Sequence, residues 1–263
     1  MSGSRALGDV VAATREIELP LADGSVLPAA LALPADGDRS GAAPAARRAG
    51  VIVIHEAIGL NDDIRRIAGR FADAGYVALA PDFLAGLGPK PFCIVRFARG
   101  IGKVHVGRPY RQLAAAEAWL RARPEVGASP IGVAGFCMGG GFALLHATGA
   151  SIDVVAPFYA AVPKDESILS GTCPVVASYG GRDGIFGAAG ARLEVALTRL
   201  GIDHDVQTYP DAGHSFMNHH GGVVARIEPH LPTHGGYVEA AADDAWRRTL
   251  AFFASHLGAP GHG

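Results

Sequence analysis

A cysteine stands at the centre of a glycine-rich turn, where its type and surroundings suit nucleophilic chemistry. The apolar residues 131–134 precede Gly135-Phe136-Cys137-Met138-Gly139-Gly140, and a helix-like run, 141–146, follows. Glycines two positions to either side of Cys137 avoid collisions with the neighbouring strand and helix, because the turn forces a strained backbone. Free N–H groups at the helix start favour a thiolate and a developing oxyanion. The pattern predicts a strand–turn–helix elbow with Cys137 as nucleophile.

An acid and a histidine follow Cys137 in the chain order that this chemistry needs. Asp183 ends the stretch Gly180-Gly181-Arg182-Asp183, and His214 lies in Ala212-Gly213-His214-Ser215-Phe216, each after a predicted strand. The ends of parallel strands meet at one sheet edge, so these residues are expected to converge. His214 is predicted to be the general base toward Cys137, with Asp183 holding the imidazole tautomer and stabilising its cation.

A further loop, His55-Glu56-Ala57-Ile58-Gly59-Leu60, follows the apolar run 51–54. The backbone N–H groups of Ala57 and Met138 are predicted to form an oxyanion hole. The same loop sets the Glu56 carboxylate next to that hole, so Glu56 is also a predicted site residue.

The elements that must position these residues alternate between strand and helix. A hairpin is predicted from 16–19 and 29–33, with further strands at 51–54, 76–80, 131–134, 154–158, 175–178 and 204–209 and helices at about 61–74, 108–122, 188–200 and 237–256. This alternation predicts the α/β class, a mostly parallel central sheet with helices on both faces. We expect a single domain over 1–263, without a large cap domain, and flexible ends at about 1–14 and 258–263.

The composition of the 263 residues is that of a globular protein, with 49% hydrophobic and 18% charged residues. A formal net charge of −2 gives no electrostatic case for nucleic acid or an anionic membrane surface as partner. No leader segment or membrane-length apolar run is predicted. Three cysteines without metal-like spacing argue against a disulfide framework, so the expected compartment is cytoplasmic.

The chain resembles the dienelactone hydrolase family of carboxymethylenebutenolidase-like α/β-hydrolases. The resemblance rests on the elbow and on the stretches ending at Leu60, Asp183 and Phe216, together with Ala80-Pro81-Asp82-Phe83. It implies an α/β-hydrolase fold, a catalytic triad of Cys137, Asp183 and His214, and a Glu56 that takes the thiol proton when substrate rearranges the site. It also implies hydrolysis of a small-molecule ester or lactone through an acyl-enzyme, with no cofactor and no metal.

Substrate recognition is where the chain departs from the family pattern. Members that hydrolyse dienelactone clamp a substrate carboxylate with arginines, one of which lies four residues beyond the histidine. That position is Asn218 here, which is itself a predicted substrate contact, and Arg96, Arg99 and Arg108 are candidates for the other. The stretch 219–233 is longer than the usual family loop. Dienelactone itself is therefore less favoured than ester hydrolysis in general.

Two other functions stay open from the sequence. One is a thioesterase or general carboxylesterase with the same triad. The other is a non-catalytic ligand or redox sensor on a hydrolase scaffold. Four histidines in one segment suggest a metal site, but none has a partner at ligand spacing. A solvated, flexible loop is the preferred interpretation of this segment, which holds His219, His220, His230 and His234.

Overall fold

An eight-stranded sheet forms the centre of the computed structural model, which describes residues 11–35, 47–86 and 106–258. Its strands are β1 (Thr14–Pro20), β2 (Val26–Ala32), β3 (Gly50–Ile54), β4 (Val77–Pro81), β5 (Ile131–Phe136), β6 (Val154–Phe158), β7 (Val175–Gly180) and β8 (His204–Tyr209). The spatial order is β1-β2-β4-β3-β5-β6-β7-β8. The first hairpin and the β2–β4 pair are antiparallel, and the other pairs are parallel. The predicted mostly parallel sheet is confirmed.

Helices cover both faces of this sheet. They are α1 (Asp62–Asp73), α2 (Arg108–Arg121), α3 (Met138–His146), α4 (Ala189–Leu200), α5 (Gly222–Ile227) and α6 (Glu239–Leu257). One apolar core combines β3 side chains such as Ile52 with Leu113, Phe142 and Leu193 from α2, α3 and α4. The other combines alternate strand residues with α1 and α6. Strand residues that alternate between two buried faces explain the continuous apolar runs in the sequence.

The first helix illustrates how local sequence sets an element boundary. The Asn61 side chain accepts a hydrogen bond from the Ile64 N–H at 2.9 Å, as expected for a helix N-cap. Ile64, Ile67 and Phe71 are buried on one face of α1. The helix predicted at about 61–74 is therefore confirmed.

The segment after His214 differs most from its prediction. The stretch that was expected to be a flexible loop contains α5 and a 3-10 turn, Glu228–His230. Its backbone is tied to the rest of the protein, since the N–H of Gly184 donates to the Pro232 carbonyl at 3.0 Å. In the described ranges, no helix combines the length and apolarity needed to cross a membrane.

Candidate active site

Cys137 lies at the sharp turn between β5 and α3. Its backbone has φ 54° and ψ −116°, a left-handed region that residues with a side chain rarely adopt. A Cβ on Gly135 would lie 2.3 Å from the Gly139 carbonyl oxygen, and one on Gly139 would lie 2.5 Å from the His55 carbonyl oxygen. The glycine frame is therefore a steric requirement of the turn, as the sequence predicts, and Cys137 is held at the start of a helix.

The structure brings His214 and Asp183 together. Asp183 Oδ2 lies 2.6 Å from His214 Nδ1, while Asp183 Oδ1 accepts hydrogen bonds from the N–H groups of Ile185 and Phe186, both at 3.0 Å. The imidazole also packs between the rings of Phe186 and Tyr159, with centroid distances of 5.2 and 4.8 Å. With Nδ1 on the carboxylate, Nε2 is the nitrogen available to Cys137.

The charges of this pair support each other. Burial alone would lower the pKa of His214, but hydrogen bonds with Asp183 and Cys137 outweigh it and raise the pKa to about 10. Burial would likewise raise the pKa of Asp183, yet its hydrogen bonds with His214 and two backbone N–H groups bring that pKa below the ordinary value. The arrangement favours an imidazolium next to a carboxylate and a sulfur atom.

The loop after β3 is fixed by His55. The N–H of Phe83 donates to His55 Nε2 at 3.0 Å, so Nδ1 carries the proton that is shared with the Glu56 carbonyl at 2.7 Å. Burial lowers the pKa of His55, which keeps it neutral in this role. Glu56 is buried and Ala57 is half-buried immediately after it. Met138, as the first residue of α3, has an N–H without an intrahelical acceptor.

Glu56 has a partner that the sequence interpretation missed. Nε2 of His220 hydrogen bonds with the Glu56 carboxylate, and Nδ1 of the same ring lies 2.5 Å from Glu228 Oε2. The expectation that His220 belongs to a solvated loop is wrong, because its side chain is 4% exposed. No spacing rule links His220 with Glu56 or Glu228. In the described ranges, no group of three or more His, Cys, Asp or Glu side chains has a metal-binding arrangement.

Asn218 faces the interior. Its side-chain oxygen accepts a hydrogen bond from the Tyr159 hydroxyl, and its nitrogen donates to Asp63 Oδ2 at 2.7 Å. Asp63 in turn accepts from Arg66. Because Asn218 is completely buried and both ends of its amide have protein partners, the geometry does not support its predicted contact with substrate. Tyr159 was missed, although its place directly after β6 at the same sheet edge was a usable signal.

Of the candidate arginines, the described ranges include Arg108. Arg96 and Arg99 lie outside the described ranges. Arg108 donates from Nη2 to the Ala85 carbonyl at 2.9 Å and lines a cleft of about 760 Å³ beside the first hairpin. The described residues that line this cleft do not include Cys137 or His214.

Left-handed backbone conformations of residues other than glycine cluster at this site. In the described ranges they occur at Cys137, Tyr159, Ser215 and His234, with φ between 39° and 59°. Tyr159 packs on the His214 ring and Ser215 follows His214 directly. The His234 carbonyl would lie 1.7 Å from a Cβ on Gly213. Strained backbone of this kind persists where the surroundings fix it, as at functional sites.

Comparison with known proteins gives the same picture of the fold. The model of the "Dienelactone hydrolase family" matches residues 39–257. The "Putative carboxymethylenebutenolidase" of Methylorubrum extorquens is 29% identical over 255 residues, covering 90% of this chain and 79% of the relative. The protein of that name in Salmonella typhimurium is 29% identical over 260 residues, covering 91% of each.

A solved structure extends the likeness to three dimensions. The dienelactone hydrolase-like promiscuous phosphotriesterase P91 from metagenomic libraries has a TM-score of 0.74 at 23% identity, covering 94% of this chain and 100% of that one. At this identity the likeness supports the α/β-hydrolase fold alone. The family match spans most of the chain. This chain therefore belongs to the dienelactone hydrolase family and is a hydrolase that acts on carboxylic ester or lactone bonds.

Proposed function

We propose that Cys137 is the nucleophile of this hydrolase, with His214 and Asp183 completing a triad. As substrate rearranges the site, the thiol proton moves to Glu56, and the sulfur, stabilised by the His214 imidazolium, bonds to the acyl carbon of an ester or lactone. The carbonyl electron pair moves to the oxygen and returns as the bond to the leaving oxygen breaks. His214 gives its proton to that oxygen, and Asp183 stabilises the imidazolium until then. Water then attacks the acyl-enzyme as it gives a proton to the neutral His214, the C–S bond breaks to release the acid, and Glu56 returns its proton to the sulfur.

One observation carries the proposal. Cys137 occupies a strained turn at the N-terminus of α3, and it lies close enough to His214 to raise the pKa of that histidine, whose Nδ1 is 2.6 Å from Asp183. A buried structural cysteine needs neither the left-handed backbone nor the histidine. The geometry thus favours a reacting thiol over a packed one.

The backbone N–H groups of Ala57 and Met138 are the proposed oxyanion donors. Met138 begins α3, so its N–H points out of the helix next to Cys137. The loop of Ala57 adjoins the elbow, because Gly139 packs directly against the His55 carbonyl. Donors supplied by rigid backbone need no reorganisation when negative charge develops.

Glu56 is the proposed acceptor of the thiol proton when substrate rearranges the site, as the family resemblance implies. The pKa of Tyr159 supports the proximity of Glu56 to Cys137. Glu56 and Cys137 both raise the pKa of Tyr159, after the larger effect of burial. Both groups therefore lie near one phenol at the base of the site.

The substrate class follows from what surrounds the triad. The inward-facing amide of Asn218 supplies no cation where family members that hydrolyse dienelactone have an arginine. We therefore favour a small ester or lactone without an obligatory carboxylate over dienelactone itself. An acyl thioester is the alternative with the same chemistry.

The test is steady-state hydrolysis of an aryl acetate, a dienelactone and an acyl thioester by the purified protein. Cys137→Ala is expected to reduce turnover at least about 10³-fold, the scale for removing a triad nucleophile. Cys173→Ala is the matched control, because burial raises the pKa of the Cys173 thiol to about 12 and leaves it unreactive. An acyl group on the Cys137 peptide, detected by mass spectrometry, would support the acyl-enzyme.

Each outcome has a distinct meaning. Full activity of Cys137→Ala would refute the cysteine nucleophile. Binding of lactones without any turnover by the parent protein would favour the sensor alternative. The substrate that is turned over fastest distinguishes a lactonase or esterase from a thioesterase.

A further inference from the structure

A second buried chain of ionisable groups adjoins the proposed triad. It consists of Glu56, His220 and Glu228. Nδ1 of His220 lies 2.5 Å from Glu228 Oε2, and Nε2 of the same ring hydrogen bonds with Glu56 Oε1. The side chains of His220 and Glu56 are 4% and 6% exposed. Both nitrogens of the His220 ring therefore face carboxylate oxygens in a place with little water.

This geometry fixes the charge of His220. An ionised carboxylate accepts hydrogen bonds but donates none, so both ring nitrogens must carry protons for both contacts to be favourable. Burial lowers the pKa of His220, but the hydrogen bonds with Glu228 and Glu56 outweigh it and raise the pKa to about 10. A neutral ring would direct a lone pair at one of the two carboxylates.

Two titratable neighbours of Glu56 and His220 stay neutral and contribute no positive charge. Tyr159, at the end of β6, remains a neutral phenol because its pKa lies well above the ordinary value. His219, the neighbour in the chain, has its pKa lowered by burial and then by Arg66, so it remains neutral. Among the described side chains, His220 is the one that brings a positive charge into hydrogen-bond contact with the Glu56 carboxylate.

Backbone hydrogen bonds fix the position of Glu228 relative to the triad. The His214 N–H donates to the Thr233 carbonyl at 2.9 Å, and the Gly236 N–H donates to the His214 carbonyl at 3.0 Å. The Gly235 N–H donates to the carbonyl of Glu228 at 3.0 Å. The segment that carries Glu228 is therefore fixed to the backbone of His214 itself.

We propose that His220, kept protonated by Glu228, is a positioning residue that holds Glu56 ionised and fixed beside Cys137, an inference that rests on the proposed roles of Cys137 and Glu56. A buried carboxylate without a cation takes up a proton. Protonated Glu56 cannot accept the thiol proton. Ionised Glu56 without His220 leaves an uncompensated negative charge that disfavours the Cys137 thiolate.

The test is the pH dependence of Cys137 alkylation by iodoacetamide, read by mass spectrometry of the Cys137 peptide. His220→Gln is expected to move the midpoint about 1 to 3 pH units upward, the range for losing a neighbouring opposite charge. In a Glu56→Gln background, His220→Gln should move the alkylation midpoint much less, because His220 acts on Cys137 through Glu56. His219→Gln is the matched control and should leave the midpoint unchanged.

Several results would overturn the proposal. One is that His220→Gln shifts the alkylation midpoint equally in the parent protein and in the Glu56→Gln background. Another is that His220→Gln does not shift the midpoint at all. If His220→Gln does not fold, the same cycle is run with Glu228→Gln, which keeps a hydrogen-bond acceptor for Nδ1 but removes its charge. At about pH 8 the ring ¹⁵N signals of His220 should be those of an imidazolium in the parent protein and those of a neutral imidazole in Glu228→Gln, because the pKa of His220 falls when the charge of Glu228 is removed. An unchanged signal would also refute the role of Glu228.

Alkylation and ¹⁵N signals need no turnover. An active Cys137→Ala enzyme would refute the proposed triad but would leave the ¹⁵N result for His220 unaffected. Failure of the two proposals is therefore distinguishable.

Discussion

Two histidine–carboxylate pairs lie side by side in this molecule, Asp183–His214 and Glu228–His220, and their second partners differ. Both carboxylates contact Nδ1, at 2.6 and 2.5 Å. Nε2 of His214 is left for a thiol, whereas Nε2 of His220 contacts the Glu56 carboxylate. The thiol beside His214 changes charge during a reaction, whereas the second carboxylate beside His220 keeps that ring cationic. The same pair can therefore transfer protons in one place and fix a charge in the other.

One segment supports both pairs. Residues 228–236 supply Glu228 itself, and their carbonyls accept hydrogen bonds from the N–H groups of Gly184 and His214. This segment thus packs against both the acid loop and the histidine loop. Substitutions in the two pairs, and in the contact between them, are the way to separate their roles.

The largest difference is expected between the two carboxylates. Asp183→Asn should reduce kcat about 10⁴-fold, because an amide can hold His214 in the wrong tautomer and no longer stabilises its cation. Glu228→Gln should reduce kcat at most about 10²-fold, since it acts at a distance on the position of Glu56. Steady-state kinetics on an aryl acetate checks both. Equal losses would mean that the pairs have the same role.

The contact between the two loops is tested at Gly213. A Cβ there would lie 1.7 Å from the His234 carbonyl oxygen, so Gly213→Ala must separate the His214 turn from the segment 228–236. The free energy of unfolding should fall by about 3 kcal/mol, the upper range for overpacking. Gly221→Ala is the matched control, because among the described residues only its chain neighbours lie within 4 Å of a Cβ at that position. Urea unfolding of the two variants measures the difference, and similar stabilities would contradict the tight contact.

The first pair could be predicted from the sequence and the second could not. Cys137, Asp183 and His214 each follow a strand in a glycine-containing turn, so strand order alone brings them to one sheet edge. His220 meets Glu228 across α5 and meets Glu56 across 164 positions of chain, which no spacing pattern encodes. The strands and long helices were predictable for the same reason as the triad, since their periodicity is local.

Asn218 shows a second limit of sequence interpretation. Its position relative to His214 suggested a substrate contact, but position along a loop does not determine the direction of a side chain. The buried partners Tyr159 and Asp63 determine it, and they come from the residue directly after β6 and from α1. A polar side chain that finds two buried partners is more stable turned inward than facing the cleft.

The stability of the second pair should depend on pH in a defined direction. The pKa of His220 rises from 6.5 to about 10 on folding. Its contribution is therefore fully present below pH 6.5 and is lost as the pH rises toward about 10. We expect His220→Gln to lower the free energy of unfolding by about 2 kcal/mol at neutral pH or below, and by less in alkaline buffer. Urea titrations across this range check the trend, with His219→Gln as control; a gap that widens with pH would contradict it.

The smallest effect is expected where the two pairs share a neighbour. Tyr159 packs on the His214 ring and donates its hydroxyl hydrogen bond to Asn218. Tyr159→Phe keeps the ring contact and leaves the buried Asn218 oxygen without its donor, which should lower the free energy of unfolding by about 1 kcal/mol. Thermal unfolding measures this loss, and kcat should change little because the imidazole keeps its packing. A large fall in kcat with unchanged stability would instead assign the hydroxyl to the reaction, and the phenol would then belong to the first pair rather than to the framework between them.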